Sequence, residues 1–426
     1  MDSRGNAMLP SPFLDDILAV VPLEESRPQV SAVIPELASC MEREELLNAA
    51  AARSPAALSA LAGKPPLAES AARIAAVARI EQGREAFFAA GSGAADAGLS
   101  SSFTGRLSRP DIVAELRDRF STPPGNSFAP THLEEYGCCP FRYFLKRLVG
   151  IAAVEKPGAE LEAKDEGSLV HELLHLFFQR LADEGRLPLR DIGAARVTLR
   201  ETAAELFARW EAERHTGEPL LWEIGKERLL AILERMVEIE GAEPTGFVPR
   251  LFEHPVPGLE VEDSDGSRIS LTGKIDRADT AEGGRLRVVD YKLAGNRQKY
   301  RNLLKKESLG VTSFQMPVYL LAALRELGAE KMGGSDRLSA LYWLLARLDP
   351  LAADFSDEGK EDFSGFFATA TDERERLGDD NFLNRLCKTV RAMKNGEFSI
   401  IPRECEFCNF GSVCRYVETQ ITEEEK

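Results

Sequence analysis

The residues best equipped for chemistry lie in one stretch, LTGKIDRADTAEGGRLRVVDYKL, from Leu271 to Leu293. It contains two carboxylates, Asp276 and Asp290, and one amine, Lys292. Ile275 and Ala278 in its first half, and Val288, Val289 and Tyr291 in its second, read as two β-strands. Ala281-Glu282-Gly283-Gly284 between them reads as a turn, because glycine accepts positive φ freely. A hairpin centred on Gly283 sets Asp276 directly opposite Asp290. Partners in an antiparallel pair lie about 5 Å apart and face the same side. Lys292, two residues beyond Asp290, shares that face because strand side chains alternate. Two facing carboxylates repel unless a cation stands between them, and hard oxygen ligands suit Mg²⁺ or Mn²⁺. Taken alone, the hairpin is equally a surface turn with a cross-strand Lys–Asp pair.

Two further groups have the spacing of metal ligands. Of seven cysteines (Cys40, Cys138, Cys139, Cys387, Cys405, Cys408 and Cys414), three form Cys405-x2-Cys408-x5-Cys414 at the C-terminus. Such crowding points to a metal site rather than a secreted disulfide framework. Four cysteines hold zinc and [4Fe–4S] clusters alike, so the chemistry leaves both open. The second group is His171-Glu172-Leu173-Leu174-His175, a literal H-E-x-x-H on the amphipathic segment 165–183. Its histidines share a helix face and could bind zinc, with Glu172 as general base. No third ligand or protease-like context follows downstream.

These groups need a scaffold, and the chain supplies mostly helical patterning around a few strands. Residues 1–34 read as a loose leader, and 35–126 as a helical region rich in Ala, Leu, Glu and Arg, ending in the linker Thr122-Pro123-Pro124-Gly125. Thr131 and Glu134 form a capping-box pattern for the next helix, which Cys139-Pro140-Phe141 interrupts before another begins. Residues 187–240 are helical, with Trp210 and Trp222 at core-like positions. A first strand is expected over 246–255, with Glu253 near the carboxylates and His254 incidental. A helix opens at Ser313-Phe314-Gln315-Met316-Pro317, since proline is tolerated only in a first turn, and places Gln315 and Tyr319 on one face. A strand is expected over 337–346, and a helix over 381–395 carries Cys387 into the core.

At 426 residues, 44% hydrophobic and 29% charged, the composition is that of an ordinary soluble protein with room for more than one domain. No apolar run reaches transmembrane length and the first residues do not form a signal peptide, so a cytoplasmic protein is expected, with no membrane partner. The net charge of −16 disfavours holding a polyanion, unless local basic patches or a partner do so. The most basic segment follows Lys292: Arg297, Lys299, Arg301, Lys305 and Lys306. It is either a solvated helix face or a grip on a nucleic-acid backbone. No G-x4-G-K-[ST] loop for ATP is present.

Asp276 followed after a turn by Asp290-Tyr291-Lys292 resembles the core motif of the PD-(D/E)XK nuclease superfamily. Four other motifs, in order, resemble its RecB/AddB-type branch: Cys139-Pro140-Phe141, Gly167-x3-His171-x2-Leu174, Gln315-x3-Tyr319 and the cysteine tail. The resemblance covers roughly 127–416. It implies an α/β PD-(D/E)XK core, a mixed central sheet flanked by helices, occupying 127–426 with a helical insertion at 187–240 and an Fe–S tail at 402–416. It implies that His171, Asp276, Asp290 and the Tyr291 carbonyl hold Mg²⁺ or Mn²⁺, that Lys292 serves the attacking water, and that Gln315 and Tyr319 border the site. It also implies that Cys139 joins Cys405, Cys408 and Cys414 on a [4Fe–4S] cluster. The activity implied is cleavage of DNA, chiefly single-stranded, in the manner of a helicase-coupled nuclease; the acidic charge and the missing ATP loop point to a helicase partner, with 35–120 as the candidate docking surface. Two other readings stand beside it: a free-standing exonuclease like the CRISPR-associated nucleases with four cysteines, and a catalytically silent DNA-binding module.

Overall fold

The computed structural model describes residues 105–414 apart from 122–126, 153–160, 162, 243–244, 329–337, 356–362, 402, 404 and 406–407. Ahead of them it describes 60–61, 68–90 and a few residues between 40 and 50. The leader, the linker and the end of the tail lie outside the described residues. Two compact units emerge, Met1–Ser100 and Ser101–Lys426. The first contains helix α1 (Ala68–Ala90), whose Ala75 packs with Ala50. The second begins ahead of the boundary drawn at 127, because α2 (Pro110–Arg119) sinks Leu116 into the same core as the strands. Among the described residues no helix is long and apolar enough to cross a membrane.

The second unit is built on five strands: β1 (Val248–Glu262), β2 (Arg268–Ala281), β3 (Arg285–Lys292), β4 (Leu338–Leu344) and β5 (Asp349–Asp354). They lie in that order, antiparallel except for the parallel β3–β4 pair. A parallel pair requires a crossover, and α8 (Arg297–Leu303) and α9 (Gln315–Glu326) provide it. The fold is therefore α/β with a mixed sheet, as expected. Strands β3 and β4 are covered on both faces, and the sequence of β4, LSALYWL, runs nearly apolar throughout for that reason.

Strand alternation divides the core in two. Val289, Tyr291, Leu341 and Trp343 face α5 (Ala163–Asp183) and the helical insertion, where α5, α6 (Ile192–Glu213) and α7 (Pro219–Ala242) bury Phe177, Leu206, Trp210 and Trp222. Val288, Ala340 and Tyr342 face the other way, onto α9, α3 (Pro130–Cys138) and α10 (Phe382–Lys394). The first strand is longer than the sequence suggested, because β1 stays paired with β2 as far as Glu262.

The capping box of Thr131 and Glu134 does not form. Helix α3 starts at Pro130 after Ala129, which offers no side-chain cap. Glu134 instead reaches across to α9 and accepts the backbone N–H groups of Phe314 and Gln315, each at 2.8 Å. A proline in the first turn lacks one of the N–H groups a cap would satisfy, and the carboxylate serves a different helix.

On the insertion face, Arg277 is only 1% exposed. Its guanidinium donates to Asp279 at 2.7 and 2.9 Å, to the Tyr291 hydroxyl at 2.9 Å and to Glu240, and it lies over the Phe178 ring. Burial alone would raise the Asp279 carboxyl; Arg277 and Arg287 outweigh it and hold the group below its ordinary value. Buried charges persist only when fully partnered, and removing one partner costs about 3–5 kcal/mol. Asp279→Ala should lower unfolding free energy by about that amount, read by chemical denaturation; a loss below about 1 kcal/mol, the scale of an exposed pair, would contradict this.

Candidate active site

The hairpin has the register centred on Gly283: Ala281 pairs with Arg285, Asp279 with Arg287 and Arg277 with Val289. Gly283 and Gly284 both take φ of 76°, which a side chain would resist. The ladder then stops, one step before Asp276 would meet Asp290. In its place the Asp276 carboxylate accepts the backbone N–H of Tyr291 at 3.0 Å. Past this point β2 keeps to β1 and β3 to β4, and the polar site is assembled where they separate.

His171, from α5, enters this opening. Its Nδ1 lies 3.2 Å from Glu253 and 3.3 Å from Asp276, and its Nε2 lies 3.1 Å from the Tyr291 carbonyl oxygen. Burial pulls its pKa down, but Asp276 and Glu253 outweigh that and push it up to about 10. Glu253 has φ of 42°, a strained conformation for a residue other than glycine. It falls between the Phe252–Arg277 and His254–Ile275 pairs of β1 and β2, and forms an ion pair with Lys274. The ligand atoms of His171, Glu253 and Asp276 all lie within 4.8 Å of one another. Strain at such a point is consistent with a side chain aimed for a purpose.

Asp290 stands beside that trio and is fully buried. One oxygen accepts from Gln315 Nε2 at 2.8 Å. The other lies 2.6 Å from Lys292 Nζ, yet lacks a well-formed hydrogen bond. Burial pushes the Asp290 carboxyl up, against the pull of Lys292 and with a further push from Asp276. Burial disfavours the Lys292 ammonium, but Asp290 and Asp276 keep its pKa above the ordinary value. Each carboxylate oxygen has more than one lone pair, so its pairing with Lys292 leaves Asp290 capacity for another partner. The donor set of carboxylates, a carbonyl and an imidazole fits a divalent cation of the Mg²⁺ or Mn²⁺ kind.

Tyr319 borders the same space from α9. A side chain at Gly273 would place its Cβ 2.7 Å from Tyr319 Cε1, so the ring occupies the room glycine leaves. Burial pushes the Tyr319 phenol up to about 12. The H-E-x-x-H residues part company. Glu172 accepts from Trp210 Nε1 at 2.8 Å and from Arg209, tying α5 to α6, and His175 Nδ1 is buried without a partner. Neither joins His171, so no protease geometry forms among the described residues.

The basic segment is only partly a solvent-facing surface. Arg297 is engaged by Asp349 and Lys305 by Glu307, while Lys306 lies near the rings of Phe363 and Phe366. Lys299 and Arg301 are exposed. Cys139 caps the C-terminus of α3, with Cys138 buried beside it. Burial, with Cys139 and Cys408 as neighbours, raises the Cys405 thiol. Among the described residues, however, the cysteines do not come together as a group of metal-ligand atoms the way His171, Glu253 and Asp276 do. Cys387 is buried in the core, accepting from Arg374 at 3.6 Å.

A mixed sheet whose hairpin turns an aspartate and an Asp-Tyr-Lys strand onto one buried polar face, with a histidine reaching in from a flanking helix, is a nuclease-type core. The family model of the PD-(D/E)XK nuclease superfamily matches residues 127–415, and the chain belongs to that superfamily. It is similar to an ATP-dependent helicase/deoxyribonuclease subunit of Anoxybacillus flavithermus, 28% identical over 293 residues, 63% of this chain and 24% of that protein. The Bacillus subtilis protein of the same name is 33% identical over 182 residues, 38% of this chain and 15% of its own length. That of Carboxydothermus hydrogenoformans is 26% identical over 397 residues, 74% and 35% of the two chains. The chain thus spans a minor part of each of these relatives.

Gly273→Ala should expel the Tyr319 ring, because the new methyl and Cε1 cannot both occupy a 2.7 Å separation. Overpacking of this kind costs about 1–3 kcal/mol. Thermal unfolding should register that loss, and restoring space with Gly273→Ala/Tyr319→Leu should recover part of it; equal stability of Gly273→Ala and wild type would refute the packing argument.

Proposed function

We propose that this chain is a divalent-metal-dependent deoxyribonuclease that hydrolyses phosphodiester bonds in single-stranded DNA. The observation that carries the reading is the Asp276–Asp290–Lys292 arrangement, with the buried Asp290 carboxylate held between Lys292 at 2.6 Å and Gln315 at 2.8 Å and His171 beside Asp276. Asp276, Asp290, His171 and the Tyr291 carbonyl would hold the ion, with Glu253 as a further carboxylate in reach. The ion, when bound, supplies Lewis acidity and a lowered water pKa. Lys292 orients the attacking water and offsets charge on the phosphate as the bond breaks. Gln315 fixes Asp290 by its 2.8 Å hydrogen bond, and Tyr319 walls the site.

The same reading assigns Cys139, Cys405, Cys408 and Cys414 to a [4Fe–4S] cluster. Three hydrogen bonds support it by binding residues 397–403 to α3 and the short helix α4 (Pro140–Tyr143) after it: Tyr136 to Glu397 at 2.5 Å, Phe141 to Ser399 at 3.3 Å and Arg403 to Gly137 at 2.6 Å. A helicase partner is proposed from the relatives' names and from charge. Each phosphate neutralised adds to affinity by releasing counterions, and a chain at −16 with Lys299 and Arg301 as exposed cations near the site holds little backbone. The isolated chain should therefore act distributively and lose activity steeply with salt. Segment 35–120 is the proposed docking surface, part of it outside the described residues.

A labelled single strand with Mg²⁺ or Mn²⁺ tests the activity. Asp276→Ala, Asp290→Ala and Lys292→Ala should each reduce cleavage by about a hundredfold or more, and chelation of the ion should do the same. Undiminished cleavage by Asp290→Ala would sink the site assignment, and processive degradation of long duplex without ATP would favour a free-standing exonuclease. Separately, anaerobically prepared protein should contain iron, and a serine at any of the four cysteines should lose it and lower the melting temperature. Stoichiometric zinc without iron would overturn the cluster.

A further inference from the structure

Helix α3 touches both ends of the molecule's chemistry. Cys139 caps its C-terminus, and on its inner face Glu134 and Gly137 grip the segment that leads into α9. The Glu134 carboxylate accepts the N–H groups of Phe314 and Gln315, each at 2.8 Å. These N–H groups at the start of α9 have no partner inside the helix, so a carboxylate there both satisfies them and complements the helix dipole. Gly137 packs so tightly against the same segment that a Cβ would stand 1.8 Å from the Val311 carbonyl oxygen. Gln315, the residue whose backbone Glu134 holds, is the one whose side chain holds Asp290 at 2.8 Å.

We propose that Glu134 is a positioning residue of the active site: from α3 it fixes the start of α9, hence Gln315, and through Gln315 the orientation of Asp290. This rests on the reading of Asp290 as part of the metal site. The chain of contacts is short, with one side chain, one backbone and one side chain between α3 and the buried carboxylate. It makes the placement of α3 matter to chemistry. The ties at Gly137, Tyr136 and Phe141 press on the same helix and on α4 after it, so a disturbance of the cysteine end is transmitted toward Asp290.

A carboxylate so close to the site could instead act by its charge, since Glu134 also faces Lys292 and Lys299. Glu134→Gln separates the two, because it keeps an acceptor oxygen for both N–H groups and removes the charge. Mn²⁺ affinity, measured by calorimetry on the full chain, is read beside single-strand cleavage for Glu134→Ala, Glu134→Gln, Gln315→Ala and the Glu134→Ala/Gln315→Ala double variant. Supporting residues of a metal site typically contribute about 10–100-fold to affinity. Glu134→Ala should therefore weaken Mn²⁺ binding by about tenfold and lower kcat more than it raises KM. Glu134→Gln should stay within about twofold of wild type, and the double variant should be no weaker than Gln315→Ala, since both act on one path. If Glu134→Ala fails to fold, Gly137→Ala pushes α3 off Val311 and serves in the same cycle. Additive losses in the double variant, a Glu134→Gln as weak as Glu134→Ala, or unchanged Mn²⁺ affinity with only a lower melting temperature would each overturn the positioning role. An intact Mn²⁺ cycle in a protein that cleaves no DNA would instead overturn the nuclease reading and leave the positioning role standing.

Discussion

The structure of the second unit depends on where the β2–β3 ladder stops. An antiparallel pair left to itself would continue through Asp276 and Asp290, setting two carboxylates face to face with no water to screen them. The protein ends the ladder at Arg277 and Val289 and gives the Asp276 carboxylate a backbone N–H, that of Tyr291. Three consequences follow from that substitution. The Tyr291 carbonyl is left to His171, the strands separate enough to admit His171 and Glu253, and Asp290 is buried against Lys292 and Gln315. Electrostatic cost and functional geometry are here the same feature.

Strand alternation lets that polar site exist inside a well-packed sheet. Asp290 turns toward Gln315 of α9, while its neighbour Tyr291 and Arg277 turn toward the insertion, where Arg277, Asp279, Arg287 and Glu240 neutralise one another. The two sides treat their buried charges differently. On the insertion side Arg277 and Asp279 each have several partners, which makes them rigid. On the α9 side the Asp290 carboxylate is buried between Lys292 and Gln315 and burial pushes its carboxyl up, the condition expected of groups kept ready for chemistry. Helices α5 to α7 are thus more than a decoration of the core, since they supply His171 and hold the reverse face of the hairpin fixed.

Much of this was legible in the residues themselves. The hairpin register followed from one turn and the period of two, because Gly283 and Gly284 provide the positive-φ stretch between two apolar runs. The helical insertion and the buried Trp210 and Trp222 followed from amphipathic spacing. The α/β class and superfamily followed from motif order. The sequence determined local conformation, the face each strand residue takes, and the chemical types available, because these depend on near neighbours along the chain. It could not determine which partner a side chain meets across space. Glu134 carried a sound local capping signal and yet caps α9, because Pro130 opens its own helix and the Phe314 and Gln315 amides lie within reach. Arg297, in a basic run suited to DNA, is taken by Asp349 from a strand far along the chain. The H-E-x-x-H motif is divided, with His171 drawn to Asp276 and Glu172 to Trp210. The strain at Glu253 has no signature in sequence at all. Each of these was decided by tertiary packing, since a charge or donor is satisfied by whatever the fold brings nearest, and distance in space is not a function of distance in sequence.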